Sequence, residues 1–100
     1  MKVIIVNTPK GQFSIPLSKV AENKCDEYNS DRNSFEYQSM LEYVLNDDFD
    51  GIDWMINNTN WEDWQDIATK INSIVKVTES DFWTSSDDFE IKETKWTKNI

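Results

Sequence analysis

Residues 2–17 read KVIIVNTPKGQFSIPL, two apolar runs separated by Pro-Lys-Gly. The first run, KVIIVNT, is rich in β-branched side chains, which stiffen the backbone and favour a strand. Pro9 presets its own φ and Gly11 can take a positive one, so the chain is expected to turn here. In the second run Phe13, Ile15 and Leu17 alternate with polar residues, the period of a strand with one buried face. The pair predicts an N-terminal β-hairpin. Pro16 cannot donate to a ladder, so it is expected to end the pairing or to sit at an edge.

Beyond the hairpin the period changes. Ser18 is a candidate N-cap for a helix running to about Tyr28, with Ala21, Cys25 and Tyr28 on one face. NSDRN is a loop, after which Asn33 or Ser34 can cap a second helix. Tyr37, Met40, Leu41, Val44 and Leu45 would form its apolar stripe. Between Asp47 and Asn57 the apolar residues Phe49, Ile52 and Ile56 are spaced by three and four. They predict a short helix with that face turned inward and aspartates in its first turn.

NNTN ends that helix. Asn60 then resembles the cap of a stronger one, with Asp63 in the N3 place of a capping-box arrangement. Trp61, Trp64, Ile67, Ala68, Ile71 and Ile74 or Val75 would be its buried stripe. Residues 74–78, IVKVT, alternate as a strand, ESDFWTSSDD is a connection, and FEIKETKW begins as another strand through Phe89 and Ile91. Strands at both ends and helices between them predict one α+β domain. About three helices are expected on one face of a small antiparallel sheet that ends in C-terminal strands.

The chain has 100 residues, enough for one small core, and its five Trp, five Phe and three Tyr supply much of the apolar area. A single cysteine, Cys25, rules out an intramolecular disulfide and reads as a small buried apolar residue. No apolar run approaches the roughly 20 residues of a membrane span. The apolar run at the N-terminus is too short for a signal peptide, so a cytoplasmic protein is expected. Histidine is absent, which removes the commonest general base and the usual zinc ligand. No catalytic motif and no cofactor-binding motif is present, and a non-enzymatic role is expected.

The net charge is −9, and most of it sits in one fifth of the chain. Residues 47–66 hold Asp47, Asp48, Asp50, Asp53, Glu62, Asp63 and Asp66 and no Lys or Arg. The segments on either side are each net −1. Such a block repels nucleic acid and attracts basic protein surfaces. Carboxylates spaced along helices can imitate a nucleic-acid backbone, and their field speeds association with a basic partner. Within the block, Asn46, Asp48, Asp50 and Gly51 match the first half of an EF-hand loop. The closing position is Asn57, which cannot supply the two charged oxygens that a Glu would. A weak divalent-ion-binding module is therefore only a minor alternative, and no metal ligands are assigned.

Trp54, Trp61 and Trp64 read as core at helical spacing, whereas Trp83 and Trp96 are candidates for exposed aromatics. An assembly protein that oligomerises through such an aromatic patch is the second reading. The leading one is binding to a basic protein surface, without direct nucleic-acid or membrane contact. Its candidate residues are the seven acids of the block, with Asp87, Asp88 and Trp83 as additions.

The stretches MKVIIVNTPKGQFSIPLS and NDDFDGIDWMINNTNWEDW resemble parts of short acidic proteins of tailed bacteriophages, over about the first three quarters of the chain. The resemblance implies a host-directed role in the host cytoplasm. Examples of such roles are inhibition of restriction, CRISPR or other defence enzymes, and modulation of host machinery.

Overall fold

The computed structural model describes residues 1–73, 77–78 and 82–93. Strand β1 (Lys2–Thr8) and strand β2 (Gly11–Pro16) form the expected hairpin, paired from Val3 opposite Pro16 to Thr8 opposite Gly11. Pro9 and Lys10 make the two-residue turn. The Thr8 hydroxyl closes it, donating to the Gly11 carbonyl at 2.9 Å and accepting the Lys10 N–H at 3.1 Å. Gly11 has φ +134°, and a Cβ there would stand 2.5 Å from the Asn72 carbonyl oxygen of a neighbouring strand. Only glycine allows both that backbone angle and that approach.

Three helices come next: α1 (Leu17–Tyr28), α2 (Phe35–Asn46) and α3 (Asp50–Asn58). Strand β3 (Thr69–Asn72) and strand β4 (Phe89–Glu93) complete an antiparallel sheet in the order β3-β2-β1-β4. The hairpin is thus the middle of the sheet, and the later strands add to its two sides. Pro16 is the last residue of β2, as its missing donor requires.

One face of the hairpin carries Ile4, Val6 and Ile15, all fully buried. Leu17 and Val20 of α1 and Ile52, Trp54 and Met55 of α3 pack onto them, with Trp64 and Phe89 closing the cluster. Helix α2 lies farther out, packed on α1 and α3. Val3 and Ile5 point to the opposite face of β1 and are buried as well. Gly51 permits the closest approach in this core. A Cβ there would meet Leu17 Cδ1 at 2.9 Å, with Ile4 and Val20 at 3.6 Å.

Three expectations from the sequence give way in the fold. Ser18 does not cap α1; Pro16 occupies the cap position and no side chain bonds there. The chain passes from strand to helix with no loop residue, and Leu17 is already helical because the core fixes it. Tyr28, placed on the buried face of that helix, is exposed; the buried residues are Leu17, Val20, Ala21 and Cys25. The third correction concerns the helix expected from Asn60 onward. It is one 3-10 turn, Trp61–Asp63, then a hydrogen-bonded turn and then β3. Ile67 and Ile71, assigned to its buried stripe, are exposed.

The start signal at Asn60 is real, since the Asp63 carboxylate accepts the Asn60 backbone N–H at 2.8 Å. Tertiary demands end the helix. The open edge of β2 pairs with Thr69–Asn72, and a strand cannot continue the helical stripe. The strand expected at residues 74–78 lies largely outside the described residues; Val77 and Thr78 are not in a strand. Ser34 caps α2 as expected, accepting the Tyr37 N–H at 3.1 Å.

Gly51→Val should lower stability by about 1–3 kcal/mol through overpacking against Leu17. A shift of the urea midpoint measures it, and an unchanged midpoint would show that the core gives way there.

Candidate functional site

The acidic block begins at the entrance to α3. Asp47 Oδ1 accepts the backbone N–H groups of Phe49 at 2.7 Å and Asp50 at 2.8 Å. Those two bonds, the Phe49 one first, hold the Asp47 carboxyl below the usual carboxylate range. Asp47 is therefore the side-chain cap of α3, satisfying donors that the first turn leaves open. Asp50 Oδ2 receives Lys24 Nζ of α1 at 2.7 Å, both side chains being about one-fifth exposed (21% and 19%). The same ammonium stands 6.0 Å from the centre of the Trp54 ring. Asp53 accepts from Asn57 Nδ2 at 2.9 Å. Phe49, expected to turn inward, is 76% exposed. It precedes the first helical residue, and the buried stripe of α3 is Gly51, Ile52, Trp54 and Met55.

The polar run after α3 folds back on the helix. Asn57, Asn58 and Thr59 each bond a carbonyl four residues earlier, those of Asp53, Trp54 and Met55. Short polar side chains thereby satisfy the carbonyls that a helix end leaves bare. Thr59 Oγ1 also accepts the Trp64 indole N–H at 2.8 Å. Trp83 is not the exposed aromatic expected. It is half-buried, and its indole N–H lies 2.9 Å from the Thr59 carbonyl and 3.1 Å from that of Met55. Its ring packs edge-on against Phe82 and Phe89 and lies beside Trp61. Its φ of +66° is rare for a bulky residue and is held by these contacts. Trp96 lies outside the described residues.

The block thus divides. Asp47, Asp50 and Asp63 hold local structure, and Asp53 is tied to Asn57. Asp48, Glu62 and Asp66 are exposed and have no partner among the described residues. Asp87 and Asp88 belong to a 3-10 turn (Ser86–Asp88), where Ser85 Oγ accepts the Asp87 N–H at 3.1 Å. That turn packs on α3, and Ser86 lines a cleft with Phe49, Ile52 and Asp53. Asp47 lines a different cleft, with Glu42 and Tyr43, and Asp63 a third, with Asn23 and Glu27. Asp53, Asp47 and Asp63 thus line three separate clefts.

Two further acids belong with them. No Lys or Arg occurs between Asn33 and Thr69, so the base-free run includes Glu36 and Glu42 of α2. The charge pattern of the sequence contains this signal, but counting only the densest acids stops short of α2. The nearest base upstream, Arg32, is occupied by Asp26 at 2.7 Å. Asp26 also accepts the Tyr37 hydroxyl at 2.9 Å, and burial, then that bond, pushes the Tyr37 phenol up to about 12.

The half-matched calcium loop is not a loop. Its residues from Asp50 onward are helical, and Asp50 is paired with Lys24. Among the described residues no group of three or more His, Cys, Asp or Glu could hold a metal ion. Cys25 is buried, and burial, then Asp26, pushes its thiol up. No helix among the described residues is long and apolar enough to cross a membrane. Searches against protein-family models, curated proteins and solved structures found no match.

Removing the cap and removing a free acid should differ. Asp47→Ala is expected to lower the melting temperature by about 4–8 °C through loss of the cap, and Asp48→Ala by less than about 2 °C. Because the folded-state pKa of Asp47 is depressed, its contribution is present above the unfolded value near 3.9 and is lost as pH falls through the lower folded one. Melting curves at neutral and acid pH check both. Equal losses for the two variants would remove the distinction.

Proposed function

We propose that this chain is a non-enzymatic acidic binding protein that occupies a basic surface of a nucleic-acid-handling or defence protein, its carboxylates standing in for a nucleic-acid backbone. The resemblance to tailed-phage proteins supplies the setting: a phage-type inhibitor acting in the host cytoplasm. One observation carries the reading. The run from Asn33 to Thr69 has nine acids and no base, and Asp48, Glu62 and Asp66 stand exposed within it without a partner among the described residues. Like charges left together cost the folded state through repulsion, and a partner's Lys and Arg relieve that cost. Carboxylates that face water, rather than a backbone N–H or a lysine of the fold, are available to such a partner.

Asp47 and Asp50 are poor choices for testing the idea, since one caps α3 and the other joins α1 to α3. The test uses Asp48→Lys, Glu62→Lys and Asp66→Lys together. The immobilised wild-type chain should retain a basic nucleic-acid-handling protein from a bacterial lysate. The triple variant, with its melting temperature within about 2 °C of wild type, should lose it. Retention of the same protein by both would contradict the reading.

A further inference from the structure

Helix α2 is the outermost helix, and its free side is not bland. Its inner residues Tyr37 and Val44 are buried. Phe35, in contrast, is 81% exposed and Tyr43 is 60% exposed, so neither ring contributes much to the core. Single exposed apolar residues are ordinary on protein surfaces. Here Phe35, Leu41 and Leu45 line one groove of about 370 Å³, together with Gln38, Ser39 and Glu42. The adjoining cleft, which runs past Tyr43 to Asp47, shares Ser39 and Glu42 with it. The two form one strip along the helix, with an aromatic ring at each end. Tyr43 and Asp47 line the same cleft, which sets that ring near the carboxylate.

The charge on the strip selects its occupant. Glu42 and Asp47 line it, Glu36 follows Phe35 and Asp48 follows Asp47 in the chain, and no Lys or Arg occurs from Asn33 to Thr69. A second copy paired face to face about a two-fold axis would set the acids of α2 against the same acids of its counterpart. A partner helix with an apolar face and a rim of Lys and Arg meets both properties at once. We propose that the outer face of α2 docks such a basic amphipathic helix from another protein. Its apolar side chains would enter the groove between Phe35 and Leu45, and its cations would face Glu36, Glu42 and Asp48. The proposal rests on the acidic-binder role and locates the apolar half of the contact. Exposed aromatic rings, here one at each end of the strip, are enriched at interfaces.

The probe is a fluorescein-labelled synthetic peptide of about five helical turns, with Leu at helical spacing and Lys and Arg elsewhere. A shuffled peptide of the same composition, without an apolar face, is the control. Fluorescence anisotropy should show the amphipathic peptide binding at least about tenfold more tightly than the shuffled one. Phe35→Ser with Tyr43→Ser should weaken it by about tenfold or more while the melting temperature holds, because both rings are exposed. No binding to wild type, equal binding of the two peptides, or unchanged affinity in the double variant would overturn the proposal. A dimer in light scattering that the double variant dissolves would also overturn it, in favour of a second copy. The failures are distinguishable. If the double variant still captures the lysate protein and the Asp48, Glu62 and Asp66 reversal does not, the α2 strip is wrong and the acidic-binder reading stands. The reverse pattern removes the acidic-binder reading and, with it, the basic partner proposed for the α2 strip.

Discussion

The Met55 carbonyl oxygen is the point on which the described structure turns. It accepts the Thr59 backbone N–H at 3.1 Å, the Thr59 hydroxyl at 2.6 Å and the Trp83 indole N–H at 3.1 Å. The Thr59 hydroxyl in turn accepts from Trp64. Three separate parts of the chain are thereby tied to the last turn of α3. One is the polar run that ends the helix. Another is the turn carrying Trp61 and Trp64, which leads to β3. The third is the segment carrying Trp83, which leads to β4. Each bond joins a group that would otherwise be partly buried without a partner, and such groups are costly to leave unsatisfied. The Trp83 ring that delivers one of these donors also packs on Phe89 of β4 and lies beside Trp61, which Phe13 of β2 meets. The segments that lead to both outer strands are therefore tied to one helix end.

This arrangement explains why the acids of the block do different things. A helix held so firmly at its C-terminus still needs its N-terminus closed, and Asp47 closes it. It also needs a tie to α1, which Lys24 and Asp50 supply through a short, largely sheltered pair. Acids at those two positions are accounted for by the fold itself. Asp48, Glu62 and Asp66 are not, and neither are Glu36 and Glu42 on α2. An interaction surface is best sought among charges that the fold does not use, because only those can change partner without unfolding anything.

The hairpin is legible in the sequence because its two signals agree: alternation on both sides and a turn that only Gly11 permits. The order of the early strands and helices and the cap at Ser34 are legible for the same reason, since local preference and final contact coincide there. The helix expected after Asn60 fails because its capping signal is satisfied by a single turn. The fate of residues 69–72 is decided by the edge of β2, a partner distant in sequence that no local pattern reveals. Trp83 reads as exposed because a polar connection surrounds it in sequence, whereas its indole is drawn onto carbonyls of α3. The acidic block itself is plain in the composition. Which of its members are free is not, because Asp47 and Asp48 look alike until the backbone N–H groups they can reach are in place. The exposed rings of Phe35 and Tyr43 are hidden for a different reason: at helical spacing an aromatic residue reads as core.

The most direct test of the central claim, that unused carboxylates recruit a basic partner, is the salt dependence of association measured beside the salt dependence of folding. The protein retained from lysate is mixed with the chain at ionic strengths from about 0.01 to 0.5 M, across which the screening length falls from about 30 Å to a few ångströms. The account predicts that the association rate falls tenfold or more over that range while the urea midpoint of the free chain moves little. An association rate that does not change with salt would contradict it.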